Sequence, residues 1–240
     1  MVTINSYDLS KTVIDSLENA KKNYCDAECL INRKRQRIIS NNIPYYDINI
    51  LQHGAYISDS FVSFFADMRQ STKRMVEIGV FNTFLTMHAV IPTMIYIIEK
   101  CNGGIVDIPG DGIMALFKAS EENGNPKELF DNSESVAVYA ANELLVAFRD
   151  IVNPLLAENK IPPVSFGIGI DTGQVIVTKI GTSQIADIKA IGISIYNAAK
   201  HSKGSNEIFI SREVYDRTIG TVKMQFEESC EKGWFYSKVS

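Results

Sequence analysis

The stretch GGIVDIPGDGIMALF, residues 103–117, decides the reading of the fold. Two apolar runs flank Pro109-Gly110-Asp111-Gly112, the pattern of a β-hairpin with an acidic tip. Upstream, Phe61, Val62, Phe64, Phe65 and Ala66 make a short apolar run that ends at Asp67, which reads as a buried strand. Between strand and hairpin, residues from about Ser71 to Lys100 read as helix, broken or kinked at Pro92. Downstream, residues 119–134 are polar and loop-like, and a long helix follows over about Ser135 to Glu158. Val164 to Ile170 and Gln174 to Ile180 flank Asp171-Thr172-Gly173, predicting a second hairpin. A short helix over Ile193 to Lys203, a strand at Ile208 to Ile210 and a helix over Arg212 to Ile219 complete the order, with room for two strands in Val222 to Val239. Strand, helix, hairpin, helix, hairpin, helix, strand is an α+β order, with helices covering one face of a mostly antiparallel sheet.

The first 57 residues read as a separate, mostly helical extension, and residues 58–240 as the main domain. Asp8-Leu9-Ser10 offers a helix start, and Val13, Leu17 and Ala20 recur at helical spacing. The basic run Arg33 to Arg37 reads as a solvated helix face.

The 45% hydrophobic content supplies ample core material. A net charge of -4 argues against nucleic acid as the main partner, because a phosphate backbone demands a basic footprint. A nucleotide substrate stays open, since a metal ion can carry the local positive charge. Four cysteines at this length predict reduced thiols, and Cys25 and Cys29 have no second Cys or His pair nearby for zinc. The opening residues have no apolar signal core, and the most apolar stretch, Met87 to Ile98, is too short to span a bilayer, so a soluble cytoplasmic protein without a membrane partner is expected. His53, His88 and His201 show no partner pattern and read as structural or exposed.

If the strand ending at Asp67 neighbours the hairpin that carries Asp111, both carboxylates reach one sheet edge. Clustered like charges repel and call for a cation, and oxygen ligands suit magnesium or manganese. Spacing alone favours a plain acidic turn, since an acid at a hairpin tip is usually only a turn residue.

Four segments in order resemble the class III nucleotidyl cyclase catalytic domain. FFADMRQST, residues 64–72, resembles F-x-D-I-x-x-F-T. Residues 103–117 resemble the Gly-Gly to Gly-Asp segment, one residue shorter before Gly110-Asp111. GIGIDTG, residues 167–173, resembles G-I-G-I-h-x-G, and residues 180–200 run without a gap against I-G-S-x-x-x-x-D-Y-T-x-I-G-D-x-V-N-x-A-A-R. The resemblance covers about residues 58–240. It implies a ferredoxin-like βαββαβ core with added strands, and attack of a ribose 3′-hydroxyl on the α-phosphate with release of pyrophosphate. It implies two divalent ions, Mg or Mn, held by Asp67, Asp111 and the backbone carbonyl of Met68. Backbone N–H groups from Arg69, Gln70, Ser71 and Thr72 would cradle phosphate. The family builds its site between two subunits, so a head-to-tail homodimer is implied.

The departures bear on the substrate. The ungapped alignment sets Tyr196 where most members have Asn, and Lys200 where they have the transition-state Arg. Lys supplies charge without the planar guanidinium fork. A gapped alignment would put Asn197 at the Asn position, but breaks the match of Ala198-Ala199-Lys200 to Ala-Ala-Arg. Asp107 and Lys189 fall at the two base-choosing positions and match neither purine pattern. Lys232 is the best match to the triphosphate cation, and Arg69 is within reach of phosphate or base. A Tyr at position 196 adds bulk that favours a smaller base. These features resemble the bacterial pyrimidine cyclases of the Pycsar anti-phage systems, which make cyclic UMP or cyclic CMP for a separate effector protein. The alternatives are an adenylate cyclase with unusual base contacts and an inactive nucleotide-binding module. A GGDEF-type diguanylate cyclase is disfavoured, because Gly103-Gly104 is not followed by Asp-Glu-Phe.

Overall fold

Alternating burial along Tyr56–Met68 produces the strand on which the sheet is built. The computed structural model describes residues 4–22, 42–43, 46–47, 54–119, 132–182 and 186–239. Cys25, Cys29, His53 and the run Arg33 to Arg37 lie outside the described residues. The elements in order begin with α1 (Ser6–Lys22), the short strands β1 (Asn42–Ile43) and β2 (Tyr46–Asp47), β3 (Tyr56–Met68) and α2 (Ser71–Lys100). The hairpin β4 (Gly104–Asp107) and β5 (Ile113–Lys118) follows, then α3 (Ser133–Ala147) and α4 (Asn153–Glu158). β6 (Phe166–Gly181), β7 (Ala186–Ile191), α5 (Ile193–His201), β8 (Glu207–Ser211), α6 (Arg212–Arg217), β9 (Glu227–Glu228) and β10 (Trp234–Lys238) complete the chain.

The main sheet runs β4-β5-β3-β6-β8-β10-β9, with β7 added beside β6. The units β3-α2-β4-β5-α3-β6 are the expected ferredoxin-like core, with β4, β5, β3 and β6 adjacent and antiparallel. β8 then pairs in parallel with β6. On β3, Val62, Phe64, Ala66 and Met68 enter the main core with α2 and α3, while Phe61 and Ser63 face the other side. That second face carries α5, so the expectation of helices on one face needs correction: α5 lies opposite α2 and α3.

Glycines explain how α5 gets so close. A Cβ on Gly169 would stand 2.0 Å from the Ala198 carbonyl oxygen, and one on Gly167 2.5 Å from that of Lys203. The neighbouring Phe166, Ile168 and Ile170 point the other way into the main core. The Gly-Ile-Gly-Ile run is thus a backbone contact on one face and a core layer on the other.

Three further expectations change. Asp171-Thr172-Gly173 is not a turn, because β6 runs unbroken from Phe166 to Gly181 and pairs with all of β3. The turn-forming acid is satisfied in extended chain: Asp171 Oδ1 accepts from the Thr172 N–H at 2.8 Å and Oδ2 from Asn197 Nδ2 at 2.9 Å. The reversal comes later, between β6 and β7. The break in α2 sits at Gly79 (φ 78, ψ 170) rather than Pro92. Glycine takes a positive φ without a Cβ clash, whereas Pro92 loses one backbone bond in a helical stretch packed through Ala89, Val90 and Met94. The helix expected over Ser135 to Glu158 contains a π-turn at Phe148–Val152, where the Asn153 N–H reaches the Phe148 carbonyl just ahead of Pro154.

The α1 stripe Leu9, Val13, Leu17 and Ala20 packs on α2 and joins the main core. Among the described residues α2 is long and apolar enough, by length and composition, to cross a membrane. It exceeds the apolar stretch singled out in the sequence, and its later turns, through Leu85, Ala89, Met94 and Ile98, are buried against the rest of the fold.

Gly169→Ala is expected to destabilise the protein by about 1–3 kcal/mol in urea denaturation, the usual cost of overpacking. An unchanged midpoint would mean that α5 does not rest on β6 backbone.

Candidate functional site

The hairpin tip is pressed against the end of β3. The Gly112 N–H closes the turn on the Pro109 carbonyl at 3.2 Å, with Gly110 at φ +67. A Cβ on Gly112 would stand 2.6 Å from the Ala66 carbonyl oxygen and 3.5 Å from Asp67 Oδ1. Glycine at 112 therefore lets the tip carrying Asp111 lie beside Asp67. Burial raises the Asp67 carboxyl above its ordinary value, the Arg69 charge lowers it, and the Asp111 charge raises it again.

Asp111 Oδ2 is buried and has no hydrogen-bond partner among the described residues. An unpaired carboxylate oxygen in such a place is costly, and a hard cation satisfies it. The donor set of Asp67, Asp111 and a strand-end carbonyl at Met68 is all oxygen, which fits magnesium or manganese. A cavity of about 230 Å³ beside it is lined by Met68, Ser71, Thr72, Gly110 and Asp111 among others.

The segment after β3 is shaped for an anion. Gln70 caps α2 in the left-handed region (φ 55, ψ 30) and makes no side-chain cap bond, whereas the Arg69 N–H, expected to join a phosphate cradle, donates to the Ser165 carbonyl at 2.9 Å. Arg69 folds back over Asp67, with Nη2 on the Asp67 carboxylate and Nε on its backbone carbonyl at 3.2 Å. In this structure Arg69 is thus the counter-ion of Asp67 rather than a free cation.

Asp107 and Lys189, the residues at the two positions where the resemblance implies choice of base, come together. Lys189 Nζ lies 3.7 Å from Asp107 Oδ2 across β4 and β7, and 2.9 Å from Asp187 Oδ2. A register shift between Ile105 and Asp107 sets two residues of β4 against one of β5.

Tyr196 and Lys200 lie elsewhere, on α5. Three polar bonds hold that helix to its own chain. Ser194 Oγ meets Ser63 Oγ at 2.9 Å, Asn197 donates to Asp171, and His201 Nε2 meets Glu231 Oε2 at 2.8 Å. Ile193, Tyr196 and Lys200 follow the same helical spacing one residue earlier and are exposed, Tyr196 at 65%. Asn197 is therefore engaged with the sheet, and Tyr196 stands on the open face. Ile176, Ile180 and Ile191 on β6 and β7 are also exposed. Lys232 is exposed in a turn closed by the Trp234 N–H on the Glu231 carbonyl at 3.1 Å, with Gly233 at φ +83.

Sequence reading missed Asp187, His201 and Glu231. The one signal for Asp187 is its place two residues before Lys189 on the same strand face. His201 and Glu231 are 30 residues apart, so no spacing rule finds them.

The raised Asp67 pKa has a signed consequence. The folded carboxyl holds its proton to higher pH than the unfolded one, so the ion-free protein loses stability as pH rises from the ordinary carboxylate value through the raised one. A divalent ion must displace that proton. Mn²⁺ binding, followed by calorimetry, should therefore strengthen as pH rises through that window, and Asp67→Asn should remove the dependence. Binding that ignores pH in the parent protein would contradict this site.

No protein-family model matches the chain. A curated protein named cytidylate cyclase, from Escherichia coli, is 25% identical over 166 residues, covering 67% of this chain and 35% of that protein. The chain thus spans about a third of that relative's length. Among solved structures, the guanylyl cyclase Cya2 superposes with a TM-score of 0.61 at 19% identity, covering 77% of this chain and 94% of that one. A class III adenylyl cyclase-like ATP-binding protein from Pseudomonas aeruginosa gives 0.65 at 20%, covering 90% and 45%. The adenylyl cyclase CyaB from P. aeruginosa gives 0.61 at 20%, covering 78% and 96%. The chain has the fold of the class III nucleotidyl cyclase catalytic domain, and in sequence it resembles cytidylate cyclase.

Proposed function

We propose that this chain is a cytoplasmic pyrimidine nucleotide cyclase, converting UTP or CTP to the 3′,5′-cyclic monophosphate and pyrophosphate. The observation that carries the reading is the buried Oδ2 of Asp111, without a partner among the described residues, beside Asp67 at the edge where α2 begins. Asp67, Asp111 and the Met68 carbonyl would hold two divalent ions, Mg²⁺ or Mn²⁺, which when bound supply charge for the triphosphate and for ionising the ribose hydroxyl. The O3′ to α-phosphorus bond forms as the bond to the bridging oxygen of pyrophosphate breaks, and the hydroxyl proton leaves to solvent.

The chain's own groups position the substrate. First-turn amides at Ser71 and Thr72 donate to phosphate oxygens, and Arg69 leaves Asp67 to meet the triphosphate. Lys232 adds a second cation. Asp107 and Lys189 face the base, with Asp187 fixing the Lys189 ammonium. Tyr196 and Lys200 are exposed on the far side of α5, so they serve the site of a second copy in a head-to-tail homodimer. Lys200 there offsets charge developing on the α-phosphate. Tyr196 fills room that a purine needs, which supports a pyrimidine, and so does the resemblance to cytidylate cyclase. The product would be a second messenger for anti-phage defence, read by a separate effector protein.

The test is incubation of the purified protein with each nucleoside triphosphate and Mn²⁺, with identification of cyclic products. Cyclic CMP or cyclic UMP is expected. Cyclic AMP would make the chain an adenylate cyclase with unusual base contacts, and bound nucleotide without turnover would make it an inactive binding module. Asp67→Ala should remove all product, and normal turnover in that variant would refute the metal assignment. Tyr196→Asn should raise turnover of purine triphosphates relative to pyrimidines, whereas unchanged selectivity would reduce Tyr196 to a packing residue.

A further inference from the structure

His201 immediately follows Lys200 on α5, and it is 4% exposed. Its Nδ1 lies 2.9 Å from the Asn197 carbonyl oxygen, and its Nε2 lies 2.8 Å from Glu231 Oε2. Both neighbours are acceptors, so either ring nitrogen can donate, as the tautomer sets. The ring also stacks on Trp234 at 3.5 Å between centroids and 11° between planes. Glu231 and Trp234 are the first and last residues of the turn that presents Lys232, and Gly233 at φ +83 gives that turn its shape. One side chain therefore grips both flanks of the Lys232 turn while sitting next to Lys200. Lys203 joins from the residues after α5, pairing with the other Glu231 oxygen and lying 5.4 Å above the Phe209 ring.

We propose that His201 is a positioning residue, a strut that ties the Lys200 end of α5 to the Lys232 turn and so fixes two cations relative to each other. This rests on reading Lys232 as a phosphate-binding cation of the cyclase site. A buried ring bonded at both nitrogens and stacked over its full face has little freedom, whereas Lys200 and Lys232 are exposed, flexible side chains. The strut supplies a fixed base for both. His201 itself touches no substrate. Glu231 shares the role, because it bonds His201 and Lys203 together and its carboxyl is held below its usual range, first by Lys203 and then by His201.

The test is a thermodynamic cycle on the full chain, with inorganic tripolyphosphate as the probe and calorimetry as the readout. His201→Phe keeps the stacking on Trp234 and removes both hydrogen bonds. Glu231→Gln keeps the shape of the turn and weakens the bond from the other side. Lys232→Ala removes the cation. Each variant should bind tripolyphosphate about tenfold more weakly, the loss of one charge-assisted contact. The double variant His201→Phe/Lys232→Ala should bind no more weakly than Lys232→Ala alone, because residues acting through one another are not additive. A purely structural histidine would lower the melting temperature and leave the cycle additive. Additive losses, unchanged binding in a folded His201→Phe, or no tripolyphosphate binding by the parent protein would each overturn the proposal. Coupling in the cycle together with no cyclic product from any triphosphate would leave the strut standing and refute the cyclase reading instead.

Discussion

The antiparallel ladder between β3 and β6 holds the rest of the structure in place. It pairs all 13 residues of β3, from Tyr56 opposite Thr178 to Met68 opposite Phe166. One face of this ladder carries Phe64, Ala66, Ile168 and Ile170 into the core beneath α2 and α3. The other carries Ser63, Asp171 and the Gly167 and Gly169 backbone to α5. Because side chains alternate along a strand, a slip of one residue would put glycines in the core and isoleucines under α5. The same register sets Asp67 at the strand end where the β4–β5 tip arrives. Fold and site therefore share one constraint.

Electrostatics at that strand end then follow from crowding. Two carboxylates lie side by side at the edge of a sheet, one with a buried oxygen left unpaired. Arg69 offsets the charge of Asp67, while Asp111 Oδ2 has no partner among the described residues. The arrangement is poor as a stabilising device, because burying unpaired carboxylate costs free energy, and it makes sense as a place where a doubly charged ion completes the coordination.

Much of this was legible in the sequence, for identifiable reasons. The Pro109 to Gly112 tip, the strand ending at Asp67 and the order of helices carry local signals, and the structure keeps them. The strand register of β6 was not legible, because Asp171-Thr172-Gly173 has turn chemistry that is consumed by contacts with Asn197 and Ser194, partners more than twenty residues away. The break in α2 was assigned to Pro92, yet a proline in a packed helix loses one bond while Gly79 offers a free torsion. Asp107 and Lys189 were found one at a time, but their ion pair crosses two strands distant in sequence. His201 was dismissed for want of a partner, since Glu231 reaches it only once β10 has paired with β8.

In the proposed dimer each chain carries two half-sites, carboxylates at the β3 end and the Tyr196–Lys200 face of α5, that work only across a pair of copies. Mixing two inactive variants tests it most directly. Asp67→Ala lacks one half and Lys200→Ala the other. Each alone should give almost no cyclic product, and an equal mixture should recover about a quarter of parent activity, because half of the dimers are mixed and each has one intact site. A mixture as inactive as its components, although mixed dimers form, would contradict the account and place both halves in one chain.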